Sequence, residues 1–343
     1  MLAVTYDRTG PSSVLTLVER AAPEPGPGEV RVRVIVSGVN PTDWKARQGS
    51  GDSQALPEPQ VPNQDGAGVV DAVGDGVEIE LGERVWLWDA AWQRTDGTAQ
   101  EVVTLPARHV VVLPDAESYD TGASLGIPAL TAHRALTVHE GAPPQLQQGA
   151  LDGLVVLIAG GAGAVGHAAI QLARWAGATV ITTVSSDAKA GLARAAGAKH
   201  VINYRTDDVP AAVRAISERG VDLVIEVAPE ANLATDLDVL APNGTVAIYV
   251  SESDQPLGVP VRPSMVKNVR YHFILTYTVT DEQKFAALAA VSAALAAGAL
   301  RVGAKHGLPL TRFPLAETAA AHDAVERGAV GKVLIDIADV PML

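Results

Sequence analysis

The sequence predicts an α/β chain with a β-rich N-terminal region followed by a doubly wound parallel sheet. Three observations carry this. From Met1 to about Ser124 apolar and polar residues alternate with period two, as in EVRVRVIVSGV, AGVVDAVGDGV, ERVWLW and EVVTL, and few helical stretches interrupt them. From about Ile127 to Pro263 the runs LVVLIA, ATVITTV, KHVIN, VDLVIEV and GTVAIYV alternate with amphipathic segments, the pattern of strands joined by crossover helices. Within that stretch, residues 154 to 186 read as strand, glycine turn, helix and second strand.

Leu154 to Ala159 is an unbroken apolar run, as a strand buried on both sheet faces should be. Gly161, Gly163 and Gly166 then supply G-x-G-x-x-G, a Rossmann dinucleotide fingerprint in its expected setting. Gly161 permits the tight turn, Gly163 lets backbone approach a pyrophosphate, and Gly166 lets the following helix press on the strand. That amphipathic helix, Ala164 to Ala176, opens with Ala164 and Val165, whose free N–H groups face the phosphates.

The end of the second strand should choose the dinucleotide. NAD enzymes carry an acidic residue roughly 20 residues beyond the glycines, and here stands Ser185. Its hydroxyl, Lys189 one turn on, and the pair Tyr204 and Arg205 after the third strand make a pocket for the 2′-phosphate of NADP, so the expected cofactor is NADPH. Asp187 either caps the helix starting near Ala188 or is the NAD-type acid displaced by two positions.

Glu140 to Gly153, with two prolines and several glutamines, is a surface loop. Beyond Ser264 come a strand around VRYHFIL, an alanine-rich helix from Asp281 to Ala299, a helix from Leu315 to Arg327 and a closing strand KVLIDI. At 343 residues the chain should hold two domains, with a core of Val, Ala, Leu and Ile, since 48% is hydrophobic but only 4% aromatic. A net charge of −13 opposes binding to nucleic acid or anionic membrane, and no run is long and apolar enough to span a bilayer. The N-terminus lacks a signal peptide's basic and apolar regions, and the absence of cysteine removes disulfide and thiolate chemistry. The expectation is a soluble, cytoplasmic protein.

SGVNPTDWKARQG, PNQDGAGVVDAVG, GERVW, ASLGIPALTAHRAL, GGAGAVG, GAKHVINYR and the terminal GKVLIDI occur in an order and approximate spacing that resemble the zinc-independent quinone oxidoreductases, the zeta-crystallin-like branch of medium-chain dehydrogenases/reductases. The resemblance covers nearly the whole chain. It implies a GroES-like catalytic domain from residues 1–125 and 264–343, a Rossmann domain from 126–263, a cleft that holds NADPH, and a homodimer joined through the Rossmann domains.

Zinc members of that superfamily need a cysteine in the first block and a His-Glu pair in the second, whereas this chain has Asn40, and Gln64 with Asp65. Two amides and one carboxylate are a poor zinc site, and the cysteine-bearing lobe of structural zinc is absent, so no metal is expected. The histidines form no ligand-like cluster in sequence; His133, nearest a family motif, reads as a packed or hydrogen-bonded side chain. Without a Lewis acid the acceptor should already be electron-poor: a quinone, or the β-carbon of an enone or enal. Hydrogen-bond donors for the acceptor oxygen would come from Asn40, Lys45, Gln64 and Thr131, in blocks that line the family's nicotinamide cleft.

Lys45 departs from the quinone reductases, where tyrosine usually stands, and DWK resembles trans-acting enoyl reductases of polyketide pathways. It is either a proton donor or a solvated surface lysine. Thr131 is a nicotinamide contact by resemblance or a helix hydroxyl bonded to backbone. Asp43 and Asp65 read as structural hydrogen-bond acceptors, since a carboxylate opposes charge developing on the acceptor. Trp86, Trp88 and Trp92 either wall an aromatic acceptor's pocket or, for the first two, lie in the core. Phe273 resembles a residue whose backbone meets the nicotinamide amide, and Lys332, grouped with the cofactor positions, resembles the lysine of the family's C-terminal G-K pair, without an assigned contact. The readings are a quinone reductase first, a reductase of activated alkenes second, then a non-catalytic NADPH-binding protein, and last an alcohol dehydrogenase, which the poor metal site disfavours.

Overall fold

The computed structural model describes residues 1–251 and 256–338. The N-terminal part runs β1 (Leu2–Arg8), β2 (Thr16–Glu19), β3 (Glu29–Val39), α1 (Pro41–Gln48), β4 (Ala55–Gln60), β5 (Asp65–Val73), β6 (Arg84–Leu87), β7 (Val102–Pro106), β8 (Val110–Val112) and α2 (Tyr119–Gly122). α3 (Gly126–Leu136) follows. Then strands and helices alternate: β9 (Val155–Ala159), α4 (Ala164–Trp175), β10 (Thr179–Val184), α5 (Asp187–Ala196), β11 (His200–Asn203), α6 (Val209–Ile216), β12 (Val221–Glu226), α7 (Pro229–Val239), β13 (Leu240–Ile248), α8 (Val261–Lys267), β14 (Arg270–Phe273) and α9 (Asp281–Ala296). The chain closes with β15 (Leu310–Pro314), α10 (Thr318–Glu326) and β16 (Lys332–Asp336).

Two compact units result: residues 1–127 with 309–343, and residues 128–308. The first is the GroES-like domain. Its larger sheet has the order β15-β16-β3-β5-β6-β8, with β7 also pairing to β3. β3 organises it, because its eleven residues pair antiparallel with β5, β7 and β16. The period-two pattern sends Val30, Val32 and Val34 inward against Val70, Val85, Val103 and Leu105. The return of the chain is secured by β16, which sets Leu334 opposite Gly38.

The second unit is the Rossmann domain, a parallel sheet in the order β11-β10-β9-β12-β13-β14. The order reverses direction at β9, between β10 and β12, and ligands of such sheets bind beyond the carboxyl ends of the strands at that point. The glycine turn leaves the carboxyl end of β9.

The expected boundary at residue 264 requires correction. β14, expected in the catalytic domain, hydrogen-bonds in parallel to β13 and completes the Rossmann sheet, so the chain leaves that unit only at Pro309. Among the described residues no helix is long and apolar enough to cross a membrane.

Candidate active site

Asn40 follows β3 and is the N-cap of α1, whose first residue is Pro41, as suits a helix start. It is buried, and so are its hydrogen-bond partners Asp43, Asp65 and Lys332. Asn40 Nδ2 donates to Asp65 Oδ2 at 2.7 Å, and Asn40 Oδ1 accepts from Lys332 Nζ at 2.7 Å. Lys332 Nζ also donates to Asp65 Oδ2 at 3.0 Å, an ion pair whose side chains are 1% and 0% exposed. The remaining oxygen, Asp65 Oδ1, accepts the Ile127 N–H at 2.9 Å, satisfying one of the free donors at the start of α3. Gly126 permits that approach, since a Cβ there would overlap Asp65 Oδ1.

Lys332, grouped with the cofactor positions in the sequence, has buried partners of its own. Its ammonium lies within the GroES-like unit, on Asn40 and Asp65, at the head of β16. A buried ammonium needs a buried anion, and Asp65 is that anion.

Asp43 stands beside this cluster and ties its two ends. Its Oδ2 accepts the Asn40 N–H at 2.6 Å and its Oδ1 the Gln64 N–H at 3.1 Å. Burial, and secondarily the charge of Asp65, push the Asp43 carboxyl up to about 8, opposed by those N–H groups and by Lys332. Both acids are therefore engaged in holding backbone and side chains in place, as the sequence reading expected. The Gln64 side chain is also committed, its Oε1 accepting the Ala91 N–H at 3.0 Å.

The other polar candidates lie in different settings. Lys45 is exposed on α1, its ammonium 5.8 Å from the centre of the Trp44 ring. Thr131 is buried in α3. His133, also in α3, accepts the Leu146 N–H at Nε2 (3.2 Å), and burial holds its pKa down at about 4, so it is a neutral, hydrogen-bonded core group. Trp86 and Trp88 are core, and Trp88 stacks on His109 with ring centres 4.5 Å apart. Trp92 is half-buried in the turn that follows.

In the Rossmann unit the turn after β9 departs in detail from the expectation. The left-handed residue is Gly160, φ 68°, and not Gly161. Gly161 is required by packing, since a Cβ there would overlap Thr182 Oγ1, and a Cβ on Gly166 would overlap Gly160 O. Gly163 is the least confined of the three, a Cβ there meeting only Gly160 O, at 3.4 Å. Gly163 is the N-cap of α4, so Ala164 and Val165 present the helix's first N–H groups there.

Ser185 follows β10, and Val184 pairs with Asn203 of β11. Tyr204 N–H donates to Val184 O at 3.1 Å, so Ser185 and the Tyr204–Arg205 pair leave neighbouring strand ends together. The cap of α5 is Ser186, whose Oγ accepts the Lys189 N–H at 3.3 Å, so the capping reading of Asp187 does not hold; Asp187 is exposed in the helix's first turn. Tyr204 and Arg205 are exposed and Lys189 is half-buried; among the described residues neither Lys189 nor Arg205 forms an ion pair. Phe273 ends β14 at the sheet edge, 65% exposed.

Residues 26–115 match the alcohol dehydrogenase GroES-like domain, and residues 164–293 the zinc-binding dehydrogenase family. The chain is 31% identical to the quinone oxidoreductase of Sus scrofa over 332 residues, 95% of this chain and 94% of that protein. The chain belongs to the quinone oxidoreductase family of medium-chain dehydrogenases/reductases. A 2-haloacrylate reductase of a Burkholderia species is 32% identical over 349 aligned positions, 98% of each protein. Among solved structures, the Escherichia coli quinone oxidoreductase complexed with NADPH superposes with a TM-score of 0.78 at 26% identity, covering 98% of this chain and all of that one. As a quinone oxidoreductase family member, the protein is an oxidoreductase.

Sequence reasoning missed the linkage of Asn40 to Lys332 across 292 positions. The available signal was a lysine heading an apolar strand, KVLIDI, with nothing local to neutralise it.

Proposed function

We propose that the protein is an NADPH-dependent reductase of electron-poor acceptors, quinones first, that works without a metal. The observation that carries this reading is the buried cluster of Asn40, Asp65 and Lys332. Zinc takes thiolate, imidazole or carboxylate ligands. Asn40 and Gln64 offer neutral amides, and Asp65 already accepts from an ammonium and an amide, so these residues do not fit a zinc ion. Among the described residues no three His, Cys, Asp or Glu side chains gather as a metal site. An acceptor reduced without Lewis-acid help must itself be electron-poor.

The Rossmann unit fits a dinucleotide. Gly163, Ala164 and Val165 would hold the pyrophosphate at the N-terminus of α4, where Gly163 has no side chain to keep the phosphates from the backbone. Ser185, Lys189, Tyr204 and Arg205 would hold the 2′-phosphate, with Phe273 lending its backbone to the nicotinamide amide. Bound there, NADPH supplies hydride. Asn40 commits Oδ1 to Lys332 and one N–H to Asp65, which leaves its second N–H for the acceptor oxygen. Thr131 and Gln64 are the further donors in this reading.

The second reading, reduction of an activated alkene, draws support from the Burkholderia 2-haloacrylate reductase. Lys45 then acts as proton donor to the reduced alkene. NADPH oxidation against 1,4-benzoquinone, 9,10-phenanthrenequinone, an alkenal and an enoyl thioester, with product analysis, separates the two. Quinone turnover that survives Lys45→Ala supports the first reading; reduction confined to the alkenes and lost in Lys45→Ala supports the second.

The homodimer belongs to the same proposal. β14 is an edge strand, and beside it Val261, Met265, Val266, Phe273 and Leu275 are exposed apolar residues on one segment of chain. A cytoplasmic setting for the soluble dimer agrees with the absence of cysteine.

A further inference from the structure

Gln64 and Asp65 follow a residue in an uncommon backbone state. Asn63 is buried at φ 80°, the left-handed region that asparagine tolerates better than most residues. Both ends of its side-chain amide are anchored. Oδ1 accepts from His322 Nε2 at 2.9 Å, and Nδ2 donates to Ser37 Oγ at 2.9 Å. The chain of bonds continues from Ser37 Oγ to Thr98 Oγ1 at 2.7 Å, and Thr98 Oγ1 donates to the carbonyl of Asp65 at 2.6 Å. Thr98 N–H closes the loop on the Asn63 carbonyl at 3.0 Å. His322 lies in α10, 259 positions away, and is fully buried.

An amide oxygen can only accept, so His322 Nε2 carries the proton and Nδ1 is bare. Burial, and secondarily the guanidinium of Arg47, hold the His322 pKa down at about 3, so the ring stays neutral and its tautomer fixed across the working pH range. Asn63 therefore cannot relax to an ordinary conformation without breaking two buried hydrogen bonds.

From this geometry we infer that Asn63 and His322 are positioning residues. Their bond clamps the Gln64–Asp65 backbone so that the Asp65 carboxylate reaches Asn40, Lys332 and Ile127 together. Neither touches the reacting atoms in this account, and the inference rests on the reading of Asn40 and Gln64 as acceptor contacts.

The test uses the full-length protein and three variants: His322→Ala, His322→Gln and Asn63→Gly. Glutamine restores a donor to Asn63, while glycine keeps the left-handed backbone but removes the clamp. Two readouts are taken on the folded protein: kcat and KM for NADPH with a quinone, and amide hydrogen exchange at Ile127, whose N–H reports the Asp65 carboxylate directly. The clamp predicts that His322→Ala and Asn63→Gly each lower kcat about tenfold or more, the effect of one lost buried hydrogen bond. KM for NADPH should stay within about twofold, Ile127 exchange should accelerate, and His322→Gln should recover both readouts. The double variant should be no worse than Asn63→Gly alone. A lower melting temperature with unchanged kcat and unchanged Ile127 exchange overturns the inference. If the wild type reduces no quinone or alkene, the proposed function fails, and the Ile127 exchange pattern still decides the clamp.

Discussion

Removing the Lys332 ammonium should be among the most damaging single changes in the GroES-like unit. Lys332→Met keeps much of the side-chain volume and leaves Asp65 buried with its charge uncompensated and one acceptor site on Oδ2 bare. Breaking one side of a buried pair costs about 3–5 kcal/mol. For a domain of this size each kcal/mol moves the melting temperature by about 2–4 °C, so a fall of about 6–20 °C is expected. The assay is thermal unfolding followed by circular dichroism, with Asp65→Asn and the double variant in parallel. Because the cost lies in the orphaned charge, Asp65→Asn with Lys332→Met should melt above Lys332→Met alone. A Lys332→Met protein melting within about 2 °C of wild type, or a double variant with the two losses summed, would refute the argument that this pair neutralises the site.

Stability should depend on pH from both sides. Asp43 has a folded pKa of about 8, above its unfolded value, so the folded state binds the extra proton and the contribution fades as pH rises from about 4 to 8. His133 and His167, the latter buried in α4, are both held near 4 by burial, and His322 near 3; they act oppositely, their contribution being present above the unfolded pKa of about 6.5 and lost as pH falls below it. Melting curves from pH 4 to 9 should therefore show a maximum between these limbs, and a flat profile would contradict both assignments. Lys189→Ala should reduce the preference for NADPH over NADH about tenfold or more, the value of one charge-assisted contact, in a fluorescence titration; an unchanged ratio removes Lys189 from the phosphate pocket. Val266→Asp, placing a charge on the exposed apolar segment beside β14, should halve the mass seen by light scattering, whereas an unchanged mass moves the dimer contact elsewhere.

The legible parts of the fold are those written in short range. The apolar run of β9, the glycines and the amphipathic α4 lie within some twenty residues, and each answers a local steric demand. Even there, detail depended on packing: only the backbone shows that Gly160 takes the left-handed turn, and only the hydrogen bond shows that Ser186 rather than Asp187 caps α5. β14 was misplaced because RYHF pairs with β13 through backbone groups that leave no side-chain pattern. Asn40, Gln64 and Asp65 were visible as motif positions, whereas their partner Lys332 and their support His322 arrive through β16 and α10 from the far end of the chain. Such partners meet only through the tertiary fold, one by the pairing of β16 with β3 and the other by the packing of α10, and local periodicity does not name them.

In the proposed reaction hydride acceptors are reduced without a metal, around an amide, a carboxylate and a lysine. The most direct measurement is NADPH-dependent reduction of 9,10-phenanthrenequinone by protein dialysed against chelator, with the metal content of the same sample determined by elemental analysis. Full turnover at substoichiometric metal is the predicted result. Stoichiometric zinc before dialysis, with turnover lost on its removal and restored on its return, would contradict it.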